Sequence, residues 1–439
     1  MRVLLKSVHL VDPAAGRNGT FDVLVDGDRV SRVGRDLPVD GASVVELPAS
    51  FVVTPGLIDI HVHLREPGQE HKETIATGTA SAVAGGFTSV ACMPNTDPIN
   101  DSASVTEFIV KRAAEAGLAR VHPIGAVSIG SKGEQLTEIG DLCKAGCVAI
   151  TDDGRPVKTA LLMRRALEYA SMFGIPVIDH CEDPSLKGDG VMHEGPTATA
   201  LGLRGIPGIA ESLMVERDIS IAEITGGHFH VAHMSARQSL RAVRDGKSRG
   251  VRVTTEVAPH HFLLTDAAIA ERGGYDTNFK MNPPLREAAD RDAMIEGLRD
   301  GSIDVIATDH APHHADEKAL EFDRAPFGIV GLETAVSLCV DRLVHAGVIS
   351  MSRLVELLST NPARVMRLPG GTLAEGGPAD ITVLAPDAPV TVRAASFRSK
   401  ARNTPFEGWS LKGAVAATIV GGRAVYVNEG VLGRKGLGA

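Results

Sequence analysis

Along most of the chain, short β-branched runs that end in polar residues or glycine alternate with longer amphipathic stretches. The runs are LIDIHVHL (57–64), FTSVACMP (87–94), VHPIGAV (121–127), CVAITDD (147–153), IPVIDH (175–180), HFHVAH (228–233), VRVTTEV (251–257) and IDVIATDH (303–310). Between them lie helical patterns such as SVTEFIVKRAAEAG (104–117) and ALLMRRALEYASMFG (160–174). Strands this continuously apolar are buried on both faces, and eight strand–helix units in about 260 residues predict an α/β fold, a closed (β/α)8 barrel of TIM type. The two ends have another texture. VLVDGDRVSRVG (23–34) alternates around a turn expected at Asp26-Gly27, and GAVAATIVGGRAVYVNEG (413–430) does so around Gly421-Gly422. Residues 1–53 and 369–439 are therefore expected to pair as one small composite β-sandwich domain beside a catalytic barrel of residues 54–368.

Composition narrows the picture. The 439 residues are 44% hydrophobic and 23% charged, which suits a globule with ample core and excludes a disordered or coiled-coil chain. Forty-five Lys+Arg against 54 Asp+Glu leave a net charge of −9 with no basic run, so nucleic acid is not an expected partner. The N-terminus interrupts its apolar stretch with Lys6, His9 and Asp12, unlike a signal peptide, and no window reaches the roughly 18–20 apolar residues of a membrane span. The 5 cysteines are scattered and odd in number, as expected of a cytoplasmic protein without a disulfide framework. Cys143 and Cys147 share a helix face, but no second pair follows to complete a zinc site.

Histidine carries the chemistry. His61-Val62-His63 closes the first barrel run, where alternation is expected to turn Asp59, His61 and His63 together into the barrel. An isolated pair of this kind also occurs as satisfied core or surface histidines. Here, however, Asp153, His180, His233 and Asp309 end four further runs, so six nitrogen and oxygen ligands gather at the C-terminal rim where such barrels do their chemistry. Burying so many imidazoles and carboxylates without a cation costs several kcal/mol per unpaired charge. Nitrogen and carboxylate donors without thiolate suit Zn2+, and six exceed the need of one tetrahedral ion, so two ions sharing a carboxylate and a water or hydroxide are expected. His228 and His230 form a second such pair on the opposite alternation from His233 and are expected to face the outer helices. His260 and His261 are candidates to orient a ligand.

LIDIHVHLREPG (57–68), MPNTDP (93–98), AITDDG (149–154), VIDHCED (177–183), HVAHMS (230–235), MNPPLR (281–286), ATDHAPH (307–313) and FGIVGLET (327–334), in this order, resemble the amidohydrolase superfamily and within it the bacterial type I dihydroorotases. The resemblance covers nearly the whole chain. It implies that His61, His63 and Asp309 hold one zinc, that His180 and His233 hold the second, and that Asp153 bridges them with a water or hydroxide. Asp152 competes for the bridge, since alternation turns only one of the two inward, and the family motif favours Asp153. No lysine stands on this run, in contrast to hydantoinases and allantoinases, whose bridge is a carbamylated lysine.

The same resemblance implies that Asp309 is the catalytic proton carrier. Arg65 can grip a carboxylate in two-pronged fashion, although an arginine just past a strand is often a surface ion pair. Beside it the resemblance places His63, Asn95, Asn282 and His313 at the substrate, together with the backbone of Phe327 and Gly328. The charged stretch 310–328 reads either as a solvated excursion or as a lid. The implied activity is the reversible conversion of N-carbamoyl-L-aspartate to L-dihydroorotate in pyrimidine biosynthesis. A hydantoinase- or allantoinase-like enzyme and an inactive homologue serving as a partner of aspartate transcarbamoylase are the alternatives. Expected partners are the small-molecule substrate and a second copy or aspartate transcarbamoylase.

Overall fold

The computed structural model describes residues 2–271 and 273–432. Residues 1 and 433–439 of the expected composite domain, and residue 272 of the barrel, lie outside the described residues. The eight runs form one parallel sheet in chain order, with strands Leu57–Val62, Phe87–Cys92, Arg120–Gly125, Ala149–Ile150, Val177–Asp179, Phe229–Val231, Val253–Val257 and Val305–Ile306. A parallel bridge between Val62 and His310, with His63 N donating to His310 O at 2.9 Å, joins the last strand to the first. The barrel is thereby closed.

Alternation along the strands sorts the core into two layers. Ile58, Ile60, Ala91, Ile124, Ala149, Ile178, Ala232, Val305 and Ala307 fill the interior, and helix Asn361–Met366 packs Ala363, Val365 and Met366 onto them. Leu57, Phe87, Val90, Ile150, Val177, Phe229, Val231 and Val257 face outward against the helices. Leaving those apolar faces in water would cost roughly 1.5–3 kcal/mol for each large side chain, so the helix ring is what makes the strands stable.

Two expectations about side-chain direction are corrected. Asp59 does not point into the barrel with His61 and His63; its carboxylate accepts from the backbone N–H of His61 (3.1 Å) and of Thr308 (3.2 Å), tying the first strand to the last. The pairing with the second strand slips between Leu57 and Ile58 and again between Asp59 and Val62, so Ile58 and Ile60 take the interior. Burial pushes the Asp59 carboxyl up to about 7. His228 and His230 do not face the helices either. Both lie 2.8 Å from Thr254 Oγ1, and Phe229 and Val231 hold the helix side. His233 stands two residues past its strand with φ +29, a turn of backbone that resets the parity on which the expectation rested.

The second sheet draws on both ends of the chain. Arg2–Asp12, Arg17–Asp26, Arg29–Gly34, Ser43–Glu46 and Val52–Pro55 join Ile381–Thr391, Ser410–Val420 and Arg423–Val427, the seam being the antiparallel pairing of Val53 with Val383. The second hairpin turns at Gly421 and Gly422 as expected, with φ of +54 and +72. The first turns one residue later than expected, at Gly27 and Asp28, because Asp26 pairs with Arg29. Arg120 of the third barrel strand donates to both carboxylate oxygens of Asp380 at 2.7 and 3.1 Å and so ties the sheet to the barrel.

Candidate metal and substrate site

At the C-terminal rim, the six side chains picked out in the sequence come together, each buried. Asp153 stands at the centre. Its Oδ1 lies 3.5 Å from His61 Nε2, 3.8 Å from His180 Nδ1 and 3.6 Å from His233 Nε2, and its Oδ2 lies 3.6 Å from His63 Nε2. Asp309 Oδ1 lies 3.1 Å from His63 Nε2 and 3.5 Å from His61 Nε2, while His180 Nδ1 and His233 Nε2 are 2.8 Å apart. Neighbouring Asp152 turns away to Ser128, accepting from its N–H at 3.0 Å and its hydroxyl at 2.5 Å.

The donor atoms of His61, His63 and Asp309 lie within 4.8 Å of one another, as do those of His61, Asp153 and His233. His61 Nε2 and Asp153 Oδ1 are buried with no hydrogen-bond partner, an arrangement that carries a desolvation penalty unless a cation sits between them. Burial works to raise the Asp153 and Asp309 carboxyls, yet the surrounding imidazoles, His61 foremost, hold both below the usual range, so both keep their charge at neutral pH. A cluster of buried anions and imidazoles with converging lone pairs can hold a metal ion.

Three of the four imidazoles are fixed through their other nitrogen. His61 Nδ1 is 2.5 Å from Glu256 Oε1, His63 Nδ1 is 2.9 Å from Asn95 Oδ1, and His180 Nε2 faces Asn282 Nδ2 at 3.1 Å and Glu182 Oε2 at 3.5 Å. Glu256 and Asn95 accept from Nδ1 of His61 and His63 and so aim the Nε2 lone pairs of those two rings at the cluster. Glu256 also takes His230 Nε2 at 3.2 Å, so His230 sits directly behind the cluster. The sequence reading missed Glu256 and Glu182. The sequence signal for Glu256 is a carboxylate near the end of barrel strand seven, the strand that His260 and His261 follow. Of these, His261 Nε2 bonds Pro283 O at 2.9 Å and His260 Nε2 has no partner.

A cavity of about 310 Å3 opens over the cluster, lined among others by Arg65, Asn95, Asn282, His313 and Phe327. Arg65 is 8% exposed and bonds Pro312 O at 3.2 Å, and among the described residues no carboxylate lies within ion-pair distance of it. Burial pushes its pKa down to about 10, which leaves it a cation at neutral pH. His313 Nε2 bonds Phe327 O at 2.9 Å, and burial together with Arg65 keeps that ring neutral. Gly328 contributes less than expected to the cavity. Its N–H donates to Lys280 O at 2.9 Å, and its carbonyl accepts from Asn403 Nδ2 at 2.9 Å and Lys318 Nζ at 3.2 Å.

The stretch 310–328 is exposed at 314–316, 319–321 and 323–324 and anchored between them. It holds a helical turn, Ala315–Lys318, and buried Lys318 also donates to Pro326 O at 3.0 Å, while Asn403 Oδ1 accepts from His313 N at 3.2 Å. Through Ala311, His313, Pro326 and Phe327 the segment supplies part of the cavity wall.

Against known proteins, a family model described as dihydro-orotase-like matches residues 50–239, and the amidohydrolase family matches residues 222–426. A dihydroorotase of Pelotomaculum thermopropionicum is 56% identical over 425 residues, covering 97% of this chain and 98% of its own. Another, from Syntrophotalea carbinolica, is 52% identical over 426 residues, covering 97% and 99%. The chain belongs to the dihydroorotase family. Among solved structures, an L-hydantoinase from Arthrobacter aurescens superposes with a TM-score of 0.84 at 24% identity over 96% of this chain and 95% of that one, which bears on the fold alone. A D-hydantoinase from Thermus sp. reaches 0.78 at 26% identity over 97% and 96%. Barrel and terminal sheet are thus a shared scaffold, and what separates one ring substrate from another lies in the cavity wall.

Proposed function

We infer that this chain catalyses the reversible ring closure of N-carbamoyl-L-aspartate to L-dihydroorotate, a step of pyrimidine biosynthesis. The observation that carries this is Arg65, a buried cation in the wall of the cavity that covers the histidine–aspartate cluster, with no carboxylate within ion-pair distance among the described residues. A buried unpaired guanidinium costs stability, and a substrate carboxylate is the group that relieves it. A hydantoin or allantoin ring carries no such carboxylate, and an inactive homologue would have no need to keep all six donor side chains in one place.

Two zinc ions suit the donor set. His61, His63 and Asp309 would hold one, His180 and His233 the other, with Asp153 between them. Bound there, the metal supplies an acidified water at neutral pH and polarises the ring carbonyl. The protein's own part is positional and protonic. Arg65, with Asn95 and His313 beside it, holds the carboxylate and so fixes the ring. In the hydrolytic direction the Asp309 carboxylate takes the proton of the attacking water and delivers it to the ring nitrogen as the C–N bond breaks; in synthesis the same oxygen removes that proton. The pinned 310–328 segment keeps bulk water from the reacting carbonyl.

Among the described residues no helix is long and apolar enough to cross a membrane, and the five cysteines are free. We place the enzyme in the cytoplasm on the strength of those thiols. Association with a second copy, or with aspartate transcarbamoylase, is supported by Ile209, Leu213 and Ile224, which helix Ile209–Thr225 leaves exposed.

Ring opening of L-dihydroorotate, followed by absorbance with hydantoin and allantoin as alternative substrates, tests the activity. Turnover of dihydroorotate that disappears with chelator and returns with zinc is expected; turnover of the uncharged rings alone would overturn the reading. Glu256→Gln is expected to weaken metal binding roughly 10–100-fold, since it removes the charge that orients His61, and competition with a chromophoric chelator measures this.

A further inference from the structure

Behind the cavity wall, Glu182 gathers three groups. Its Oε2 lies 2.5 Å from Lys187 Nζ, 3.1 Å from Asn282 Nδ2 and 3.5 Å from His180 Nε2, and the side chain is itself buried. A carboxylate only accepts, so whatever faces it must donate. An asparagine amide can turn over by 180° at little internal cost, and only its partners decide which end points where. Here Glu182 decides. It draws the amide nitrogen of Asn282 toward itself and leaves Asn282 Oδ1 buried without a donor, in a side chain that lines the substrate cavity.

We propose that Glu182 is a positioning residue that presents Asn282 to the substrate as an acceptor, through its carbonyl oxygen, so that the site selects rings bearing a free N–H. The proposal rests on the cyclic-amide activity inferred above and makes it more specific. The family resemblance places Asn282 at the substrate, and the hydrogen bond to Glu182 sets the polarity it presents there. An unpaired buried carbonyl is also a discriminating feature. A site built to bond a substrate N–H rejects an analogue that lacks it far more strongly than an apolar pocket rejects an added methyl, because the protein acceptor is left without a donor. Lys187, which also lines the cavity, donates to the same Oε2 and keeps the carboxylate in place.

Metal-loaded wild-type and Glu182→Gln enzymes are compared on L-dihydroorotate and on its two N-methyl analogues, with metal content measured in parallel. Wild type is expected to reject one of the two methylated rings by roughly 100-fold or more in kcat/KM. In the glutamine variant, which can donate to Asn282 and let the amide turn over, that ratio is expected to shrink at least tenfold when the two enzymes are compared at equal metal occupancy. Glu182→Asp, which keeps an acceptor, is expected to retain most of the discrimination. A purely structural role would lower activity on all rings alike and leave the ratio where it was, and that result overturns the proposal. Should the glutamine variant fold poorly, Glu182→Ala, which removes the acceptor that orients Asn282, replaces it, with the same ratio expected to fall. If wild type opens only an uncharged ring, the dihydroorotate assignment fails by itself, and the ratio measured on that ring and its N-methyl form still decides the role of Glu182.

Discussion

Asp309→Asn is expected to lower kcat for L-dihydroorotate by about 10^3-fold or more in both directions while changing KM by less than about threefold. General acid–base groups contribute typically 10^2–10^4-fold, and the amide has the shape of the carboxylate but cannot carry the proton. The backbone makes the substitution a fair one. Asp309 has φ +47, in the left-handed region that asparagine enters readily, so the variant keeps the local fold. Two roles are open to this side chain, proton carrier and metal donor, and the experiment separates them. If it served only as a donor, activity would return under excess zinc as occupancy recovers. A kcat that stays depressed in fully loaded protein assigns the proton to Asp309, whereas full recovery would sink the assignment.

What the sequence could reveal about this site follows from where strand periodicity holds. The eight barrel strands and their helices were legible because each strand is a continuous apolar run, and the six clustered donors were legible because each ends such a run. Direction within the runs was less secure. Asp59 and His61 lie two apart, yet a register slip in the first strand sends Asp59 to the backbone of Thr308 while His61 still reaches the cluster. His230 was assigned outward by counting back from His233, across a residue pair in which the chain has already left its strand. Period-two counting fails wherever a bulge or a left-handed residue intervenes, and active-site rims collect both.

Glu182 and Glu256 illustrate a second limit. Each acts by contact with a side chain distant in the sequence, Asn282 in one case and His61 in the other. Such pairings span 100 and 195 residues of sequence, beyond the reach of any local pattern. Gly328 shows the converse. It sits in a motif the family resemblance tied to substrate, but its N–H and carbonyl are both engaged in holding the 310–328 segment. A motif can mark a residue for its part in building the wall as readily as for contact with the ligand.

Arg65→Met is expected to reduce kcat/KM for L-dihydroorotate by about 10^2–10^3-fold, chiefly through KM, and to leave any slow turnover of hydantoin unchanged. Removing one partner of a buried charge pair costs roughly 3–5 kcal/mol, and the carboxylate of the substrate would enter this cavity with no cation to meet it. Arg65→Lys is expected to recover only part of the loss, because a lysine supplies the charge without the two-pronged geometry. Stability should move the other way. Burial pushes the Arg65 pKa down to about 10 from its ordinary 12.5, so at every pH below about 10 the folded protein holds this charged form at a disadvantage relative to the unfolded chain. Methionine removes that burden, and the ligand-free variant is expected to melt at or above the wild-type temperature. Adding N-carbamoyl-L-aspartate should raise the melting temperature of wild type and leave that of the methionine variant nearly unmoved. A variant that loses stability and activity together, with both ring types affected equally, would mean that Arg65 braces Pro312 and the 310–328 segment and that the carboxylate is held elsewhere.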